Sequence, residues 1–312
     1  MQKLLSVIIP AYYEEGMIEQ AAAEISAVLA ENAINYEIIF VDDGSKDRTW
    51  EKIRTVNAQD THIRGISFSR NFGKEAGMLA GLEAATGDFV ALMDADLQDP
   101  PSLLPELYRA VTEEGYDCAA TRRTTREGEP PIRSFFARMF YRIINKISDA
   151  DIVDGARDYR LMRRRVVDAI LSMREYNRFS KGIFGWVGFK TKWVPFVNVE
   201  RVAGETKWSF WKLFLYSLEG IVAFSTVPLA LASVLGVLLC LAAFVFIVVV
   251  LVKTLAFGDP VGGWPSMMCV ILFLGGVQLL CIGILGQYLS KTYLEAKRRP
   301  VYLVRETEEG VK

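Results

Sequence analysis

The chain has 312 residues, of which 51% are hydrophobic and 23% charged, with a mean hydropathy of +0.21 and a formal net charge of −1. This balance excludes collagen-like, disordered and disulfide-scaffold proteins, and no global charge attracts nucleic acid. The four cysteines form no CxxC pair and His62 is the single histidine, which argues against zinc sites and histidine-based triads. The composition predicts a soluble part joined to a very apolar part.

Residues 1–125 alternate between strand and helix patterns. Strands are predicted at Leu4–Ile9, Tyr36–Val41, Ile63–Phe68 and Phe89–Met93, and helices at Met17–Glu31, Asp47–Ala58, Lys74–Ala85 and Pro100–Glu114. Apolar runs of this kind, each followed by a helix, favour a doubly wound, mostly parallel α/β sheet. Ligands of such sheets bind beyond the carboxyl ends of the strands, where the polar clusters of this sequence lie.

The segment Asp94–Asp99 carries the most specific chemical pattern. Asp94 and Asp96 stand two residues apart after an apolar strand, with Gln98 close by. Such hard oxygen ligands suit Mg²⁺ or Mn²⁺, which also bind phosphate oxygens. The alternative is an acidic turn before a proline-led helix, with Asp99 as the N-cap.

A second acidic pair, Asp42 and Asp43, ends the second predicted strand and precedes Gly44. Carboxylates at this position accept hydrogen bonds from a base or a ribose. Capping of the next helix by Ser45 or Asp47 is the alternative and is compatible with that role.

The region from Pro131 to Arg165 contains nine arginines and lysines, interleaved at first with aromatic and aliphatic residues at helical spacing. This pattern predicts an amphipathic helix near 131–147 that lies in a membrane interface, with a second one near 208–220. A basic surface helix packed on the soluble domain is the alternative.

Two charge-free stretches dominate the C-terminal third, and each exceeds the length needed to cross a bilayer. Spans are predicted at Pro228–Val252 and Pro265–Leu289, against the alternative of a buried core hairpin. The positive-inside rule places both flanks in the cytoplasm and the link outside. The expected organisation is a cytoplasmic catalytic domain (1–220), two transmembrane helices (221–290) and a cytoplasmic tail (291–312), in which Pro300–Arg305 adds a strand.

The sequence resembles the family 2 glycosyltransferases with the GT-A fold. Three segments carry this resemblance: Val7–Glu15, Val41–Asp47 and Asp94–Pro100. Three more, Ser69–Glu75, Asp158–Met162 and Arg201–Lys207, resemble the polyprenyl-phosphate branch, closest to the bactoprenol glucosyltransferases of O-antigen modification and related to dolichyl-phosphate mannose synthase. Tyr13, Tyr159 and Thr206 depart mildly from the branch's usual Asn, Phe and Ser.

The resemblance implies a Rossmann-like GT-A catalytic domain and a role for each matched residue. The nucleotide sugar is expected at Pro10, Tyr12, Glu14, Asp42, Asp43, Lys74 and Asp94. A divalent Mg²⁺ or Mn²⁺ is expected at Asp94, Asp96 and Gln98, and the acceptor phosphate at Arg122, Arg133, Arg201 and Lys207. Asp96 and Asp158 are the expected catalytic residues, although Asp158 could instead form an ion pair with Arg157 or Arg160.

The implied reaction transfers glucose from a UDP-sugar to undecaprenyl phosphate with inversion, at the bacterial inner membrane. A lipid monophosphate is already a competent nucleophile near neutral pH, so it needs positioning rather than a deprotonating base. Relatives assemble as homo-oligomers, and no nucleic-acid partner is expected. Alternatives are a GDP-mannose or UDP-aminosugar donor, a processive polysaccharide synthase, and a non-catalytic membrane scaffold.

Overall fold

The computed structural model describes residues 3–123, 155–196, 221–257, 263–308 and 310–311, together with 139, 142, 144–148 and 153. The strands are β1 (Leu4–Ala11), β2 (Asn35–Asp42), β3 (Ile63–Phe68), β4 (Phe89–Leu92), β5 (Cys118–Arg123), β6 (Ala156–Arg163), β7 (Thr191–Phe196), β8 (Val304–Thr307) and β9 (Gly310–Val311). The helices are α1 (Ile18–Glu31), α2 (Thr49–Gln59), α3 (Lys74–Ala84), α4 (Leu104–Thr112), α5 (Arg164–Ser172), α6 (Ser180–Trp186), α7 (Val227–Phe257) and α8 (Trp264–Lys297).

The strands form one mixed sheet in the order β7-β5-β6-β4-β1-β2-β3-β8-β9. The four central strands are parallel, whereas β6 runs antiparallel to β4 and β8 runs antiparallel to β3. Each central strand is followed by a helix, so the carboxyl ends of β1, β2 and β4 lie at one edge. The predicted α/β class is confirmed.

The central strands are apolar without interruption because both faces of the sheet are covered. Val7 and Ile9 point into the core beneath α1, α2 and α4, whereas Ile8 points into the core beneath α3. A Cβ atom added to Gly81 of α3 would lie 2.1 Å from the side chain of Ile8. This glycine therefore sets the close approach of α3 to the sheet, which brings the start of α3 to the edge described above.

The predicted elements of the first 93 residues agree with the structure to within two residues at each end. The helix expected over Pro100–Glu114 differs, since a 3₁₀ turn (Pro101–Leu103) precedes α4. Pro105 explains this start, because its ring nitrogen cannot donate the α-helical hydrogen bond to the oxygen of Pro101, which accepts the amide of Leu104 instead. Of the expected interface helices, positions 139, 142 and 144–147 are helical. The remainder of 131–147 and all of 208–220 lie outside the described residues.

Helices α7 and α8 are long and apolar enough to cross a membrane, by length and composition. Their candidate spans are Val227–Val250, with a mean hydropathy of 3.1, and Val270–Lys297, with 2.1, and neither is buried in protein. Exposure of this kind argues against the alternative of a core hairpin. The predicted spans at Pro228–Val252 and Pro265–Leu289 fall inside these two helices.

The C-terminal segment returns to the catalytic sheet. A strand was expected over Pro300–Arg305, but β8 begins at Val304. The residues before it are held by side-chain packing instead, since the Tyr302 ring stacks on Phe68 with a centroid distance of 4.8 Å. The hydroxyl of Tyr302 also donates to Glu83 of α3. The segment after the second apolar helix is thus a structural part of the α/β domain.

Candidate active site

A cavity of about 280 Å³ opens at the carboxyl edge of β1, β2 and β4. It brings together seven of the residues singled out from the sequence: Pro10, Tyr12, Glu14, Asp43, Lys74, Asp94 and Asp96. Asn71 and Gly73, from the loop before α3, complete the wall on one side. We call this the donor pocket. Asp42, Gln98, Asp158 and Arg122 do not line it.

The aromatic corner of the donor pocket is built by the turn after β1. Tyr13 adopts a left-handed backbone conformation with φ of 57°. The turn is held from the next loop, because the Tyr13 amide donates to Ser45 Oγ at 3.0 Å and the Glu14 amide donates to Thr49 Oγ1 at 3.0 Å. Tyr12 consequently stays 43% exposed at the mouth of the pocket, with its ring in an edge contact with Tyr13 at a centroid distance of 4.5 Å. An exposed aromatic ring in this position can stack on a planar base.

The two adjacent acidic residues at the end of β2, Asp42 and Asp43, differ in whether they reach the donor pocket. Asp43 lines the pocket and accepts hydrogen bonds from the amides of Phe72 and Gly73, at 2.6 and 2.9 Å. Burial raises the pKa of the Asp43 carboxyl in spite of these bonds. Gly73 has φ of +97°, so the loop held by Asp43 uses a conformation that favours glycine.

Asp42, in contrast, is fully buried beneath the pocket. One of its carboxylate oxygens accepts the Ser45 amide at 3.0 Å, and the other accepts the Ser67 hydroxyl at 2.8 Å. The expectation that Asp42 lines the base and ribose site needs correction, because no surface of this side chain reaches the cavity. Asp42 accepts the amide of Ser45, and the hydroxyl of Ser45 accepts the amide of Tyr13. Asp42 therefore supports the turn after β1 indirectly.

Lys74 connects the donor pocket to Asp158. Its ammonium nitrogen lies 2.6 Å from Asp94 Oδ1 and 2.6 Å from Asp158 Oδ2. Burial would raise the pKa of the Asp158 carboxyl, but the lysine outweighs it and holds that pKa well below its ordinary value. Burial would lower the pKa of Lys74, but the two carboxylates outweigh it and raise that pKa above its ordinary value, so Lys74 and Asp158 are both charged at neutral pH.

The predicted alternative for Asp158, an ion pair with Arg157 or Arg160, is wrong. Arg157 pairs with Asp99, with Nε and Oδ1 3.2 Å apart, and Arg160 Nε faces only the main-chain oxygen of Asp158. Asp99 is therefore a buried ion-pair partner and not a helix cap, since the turn at Pro101–Leu103 has no side-chain cap. Burial raises the pKa of Asp99 to about 6 despite Arg157.

The turn after β4 orients the candidate metal ligands. Leu97 has φ of 52°, and the Gln98 amide donates to Asp96 Oδ1 at 3.2 Å. The side-chain oxygen of Gln98 faces away from the pocket, toward Arg157 Nη2 at 3.4 Å. Among the described residues, no cluster of three or more histidine, cysteine or acidic side chains is positioned to hold a metal. Asp94 and Asp96 nevertheless fit a Mg²⁺-type ion, which takes one or two carboxylates and completes its shell with water and substrate phosphate.

Of the four residues predicted to bind the acceptor phosphate, the structure describes one. Arg122 is an exposed residue near the end of β5, in register with Ala156 of β6. Arg133, Arg201 and Lys207 lie outside the described residues. Glu75 belongs to the matched segment Ser69–Glu75 but was assigned no role there. Its carboxylate accepts the backbone amide of Ser180 at 3.1 Å and so connects α6 to α3 next to Lys74.

Comparison with known proteins identifies relatives along the whole chain. Residues 6–171 match the family model of Glycosyl transferase family 2. The uncharacterized glycosyltransferase sll0501 of Synechocystis sp. (strain ATCC 27184 / PCC 6803 / Kazusa) is 43% identical over 96% of this chain and 94% of its own length. The bactoprenol glucosyl transferase of Shigella phage SfII is 40% identical over 98% of this chain and 99% of its own length. The prophage bactoprenol glucosyl transferase homolog of Escherichia coli (strain K12) is 40% identical over 96% and 98%.

Proposed function

Since the chain belongs to glycosyl transferase family 2 and is a glycosyltransferase with a GT-A catalytic domain, we propose that it transfers glucose from UDP-glucose to undecaprenyl phosphate. The product is a lipid-linked monosaccharide for O-antigen or cell-envelope modification. The reaction takes place at the cytoplasmic face of the bacterial inner membrane.

The observation that carries this proposal is similarity along the full chain to relatives named for glucosyl transfer to bactoprenol. That similarity covers 98% of the chain in the phage protein, so it includes both apolar helices as well as the catalytic domain. A processive polysaccharide synthase would be expected to carry more spans, and a non-catalytic scaffold has no need for two carboxylates and a lysine at the pocket. The architecture therefore favours a monosaccharide transferase with a lipid substrate.

In the donor pocket, Tyr12 stacks on the nucleotide base, and Pro10, Glu14 and Asp43 bound the base and ribose. Asp42 stabilises this wall from below through Ser45. Asp94 and Asp96 hold the divalent ion, with the side-chain oxygen of Gln98 as a further ligand if it turns from Arg157. The ion, Mg²⁺ or Mn²⁺, supplies positive charge that stabilises the diphosphate as it leaves.

The reaction is a single displacement at the anomeric carbon. A phosphate oxygen of the acceptor attacks that carbon, the bond to the nucleoside diphosphate breaks, and the configuration inverts. The acceptor phosphate carries its own negative charge, so Asp158 positions the sugar and does not abstract a proton. Lys74 keeps Asp158 ionised and fixes it beside Asp94, so the two carboxylates are preorganised before the substrates bind.

The acceptor is guided by cations and by the membrane. Arg122, with Arg133, Arg201 and Lys207, neutralises the lipid phosphate during its approach. Helices α7 and α8 span the bilayer, with the catalytic domain in the cytoplasm, and the amphipathic segments near 131–147 and 208–220 lie at the interface. The proposal also includes assembly of this chain into a homo-oligomer.

A product assay with the purified full-length chain tests the proposal. The protein is incubated with labelled UDP-glucose, Mg²⁺ and undecaprenyl phosphate, and the lipid fraction is analysed. The expected product is a lipid-linked monosaccharide of inverted configuration, and Asp96→Asn should abolish it. A polymer would support the processive synthase, and transfer from GDP-mannose or a UDP-aminosugar alone would correct the donor. No product from any nucleotide sugar would overturn the proposal.

A further inference from the structure

A second cavity, of about 270 Å³, lies between α6 and the sheet face formed by β6 and β7. Its wall includes two cations, Arg160 and Lys181, and three aromatic side chains, Phe184, Phe189 and Trp193. No acidic side chain is among the described residues that line it. We call it the α6 cavity, and it is distinct from the donor pocket.

Arg160 is a buried cation on the wall of the α6 cavity. Only 4% of the residue is exposed, and within the described part of the chain no carboxylate lies at ion-pair distance from it. Its guanidinium group lies 3.5 Å from the centre of the Phe184 ring, and Nη2 donates to the main-chain oxygen of Arg157 at 3.0 Å. Burial lowers the pKa of this guanidinium, and the nearby charge of Asp158 opposes that shift only in part. Asp158 is itself bound by Lys74, so an anion in the cavity would give Arg160 a direct partner that the described residues do not supply.

Lys181 adds a second positive charge at the start of α6. Its charge helps to lower the pKa of Asp158, so the two residues are close enough to interact. Among the described residues Lys181 makes no hydrogen bond or ion pair, and it lines the cavity, so its ammonium group can contact an anion there. The α6 cavity therefore lies beside Asp158, next to the expected reaction centre.

The opposite side of α6 contacts the segment that leads into the membrane. The rings of Phe179 and Phe224 have centroids 5.9 Å apart, and a Cβ atom on Gly182 would collide with Phe224. Ser225 follows Phe224, and its main-chain oxygen accepts the hydroxyl of Tyr288 from α8. The α6 cavity and the segment that leads into the apolar helices thus lie on two sides of one helix, which is about 10 Å thick.

We propose that the α6 cavity binds the phosphate head of a prenyl phosphate, with Arg160 and Lys181 as its counter-charges. Phe184, Phe189 and Trp193 contact the first carbons of the lipid tail. The proposal rests on the lipid-phosphate acceptor of the proposed function and adds two cations to those predicted from the sequence. Ala156, which lines the cavity, is the register partner of Arg122, so the three cations form one acceptor region.

Retention of radiolabelled farnesyl phosphate by the detergent-solubilised full chain, without nucleotide sugar, tests the site directly. Lys181→Met should weaken binding about tenfold, as expected for loss of one charge-assisted hydrogen bond to phosphate. Lys192→Met is the matched control, because Lys192 lies on the same strand as Trp193 but pairs with Glu114 at 2.7 Å. Arg160→Lys is a second variant that keeps the charge and should bind with intermediate affinity.

Unlabelled competitors separate the sources of affinity. Farnesyl phosphate should displace the label, whereas farnesol and inorganic phosphate should each compete far less well. The proposal is overturned if the wild-type chain retains no label, if Lys181→Met binds like Lys192→Met, or if farnesol competes as well as its phosphate. Transfer assays on the same variants distinguish the two proposals. Glucose transfer with an unchanged acceptor KM in Lys181→Met refutes this site alone, whereas lipid binding without transfer from any donor refutes the proposed function alone.

Discussion

At the scale of single residues, the centre of the candidate site is a lysine held between two carboxylates. Lys74 contacts Asp94 from β4 and Asp158 from β6, and its side chain remains 42% exposed. The side chains of its partners are less exposed, at 30% for Asp94 and 21% for Asp158, so the lysine also offsets the repulsion between two partly buried carboxylates. Its main effect is on orientation, because one ammonium group fixes a candidate metal ligand and a candidate sugar contact relative to each other.

Lys74→Met is expected to lower kcat roughly 100-fold, since loss of one preorganised charge at a reaction centre has an effect of that order. Lys74→Arg should retain part of the activity. The melting temperature of Lys74→Met should be lower than that of the wild type, because Asp94 and Asp158 lose their shared counter-charge, and Lys74→Arg should keep it close to the wild-type value. Lys52→Met is the control, as Lys52 pairs with Glu19 at 2.8 Å away from the pocket. Equal kcat values for Lys74→Met and Lys52→Met in the lipid product assay would contradict the prediction.

The acidic residues of the site could be predicted from the sequence, but the ion pairs that Lys74 makes with Asp94 and Asp158 could not. Asp94 and Asp96 follow an apolar strand, so their place at the carboxyl edge follows from the strand pattern. Lys74 and Asp158 are 84 residues apart, and no local pattern encodes their contact. The burial of Asp42 could not be predicted either. Two adjacent residues in an extended segment point to opposite sides, and the sequence does not say which of the two carboxylates faces the pocket.

At the scale of secondary-structure elements, β8 connects the C-terminal segment to the donor pocket. Arg305 Nη2 donates to Ser67 Oγ at 2.8 Å, and the Ser67 hydroxyl donates to Asp42 at 2.8 Å. Asp42 holds Ser45, and Ser45 Oγ accepts the Tyr13 amide. A strand that follows both membrane helices thus supports the aromatic corner of the pocket through four side chains.

Arg305→Ala is expected to raise the KM for the nucleotide sugar several-fold while leaving kcat nearly unchanged, because it removes the hydrogen bond to Ser67, worth about 1 kcal/mol, and the positive charge that lies 3.9 Å from Asp42. Initial rates at varied donor concentration measure both constants. Arg54→Ala is the control because Arg54 is 65% exposed and pairs at 3.6 Å with Glu306, which lies on the same strand as Arg305. A donor KM that is the same in both variants would refute the connection.

The start of strand β8 could not be predicted from the alternation of side chains in the C-terminal segment. Short strands at a sheet edge pair through main-chain groups, so side-chain alternation hardly specifies their register. In this chain the start of β8 is set by Tyr302 packing on Phe68, a contact between distant segments. The starts of the two apolar helices, in contrast, could be predicted to within one residue, because length and lack of charge are themselves the physical requirement, although the helices continue five and eight residues beyond the predicted ends.

At the scale of the whole molecule, both ends of the apolar hairpin are attached to the catalytic domain. Tyr288 of α8 donates to Ser225, just before α7, so the end of one helix lies beside the start of the other. Further along α8, Glu295 accepts the backbone amide of Tyr176 at 2.9 Å. At the other end of the hairpin, α7 ends at Phe257 and Gly263 directly precedes α8. If the hairpin spans a bilayer, those ends lie on the side away from the catalytic domain.

Labelling with a membrane-impermeant maleimide in intact cells tests this topology. In a background without the four native cysteines, Gly263→Cys should be labelled and Gly16→Cys on the catalytic domain should be protected. Both sites are exposed and have no atom within 4 Å of an added Cβ, so both variants should fold. Permeabilised cells should label both. Labelling of Gly16→Cys in intact cells would place the catalytic domain outside, where no cytoplasmic nucleotide sugar reaches it, and labelling of both would exclude a spanning hairpin.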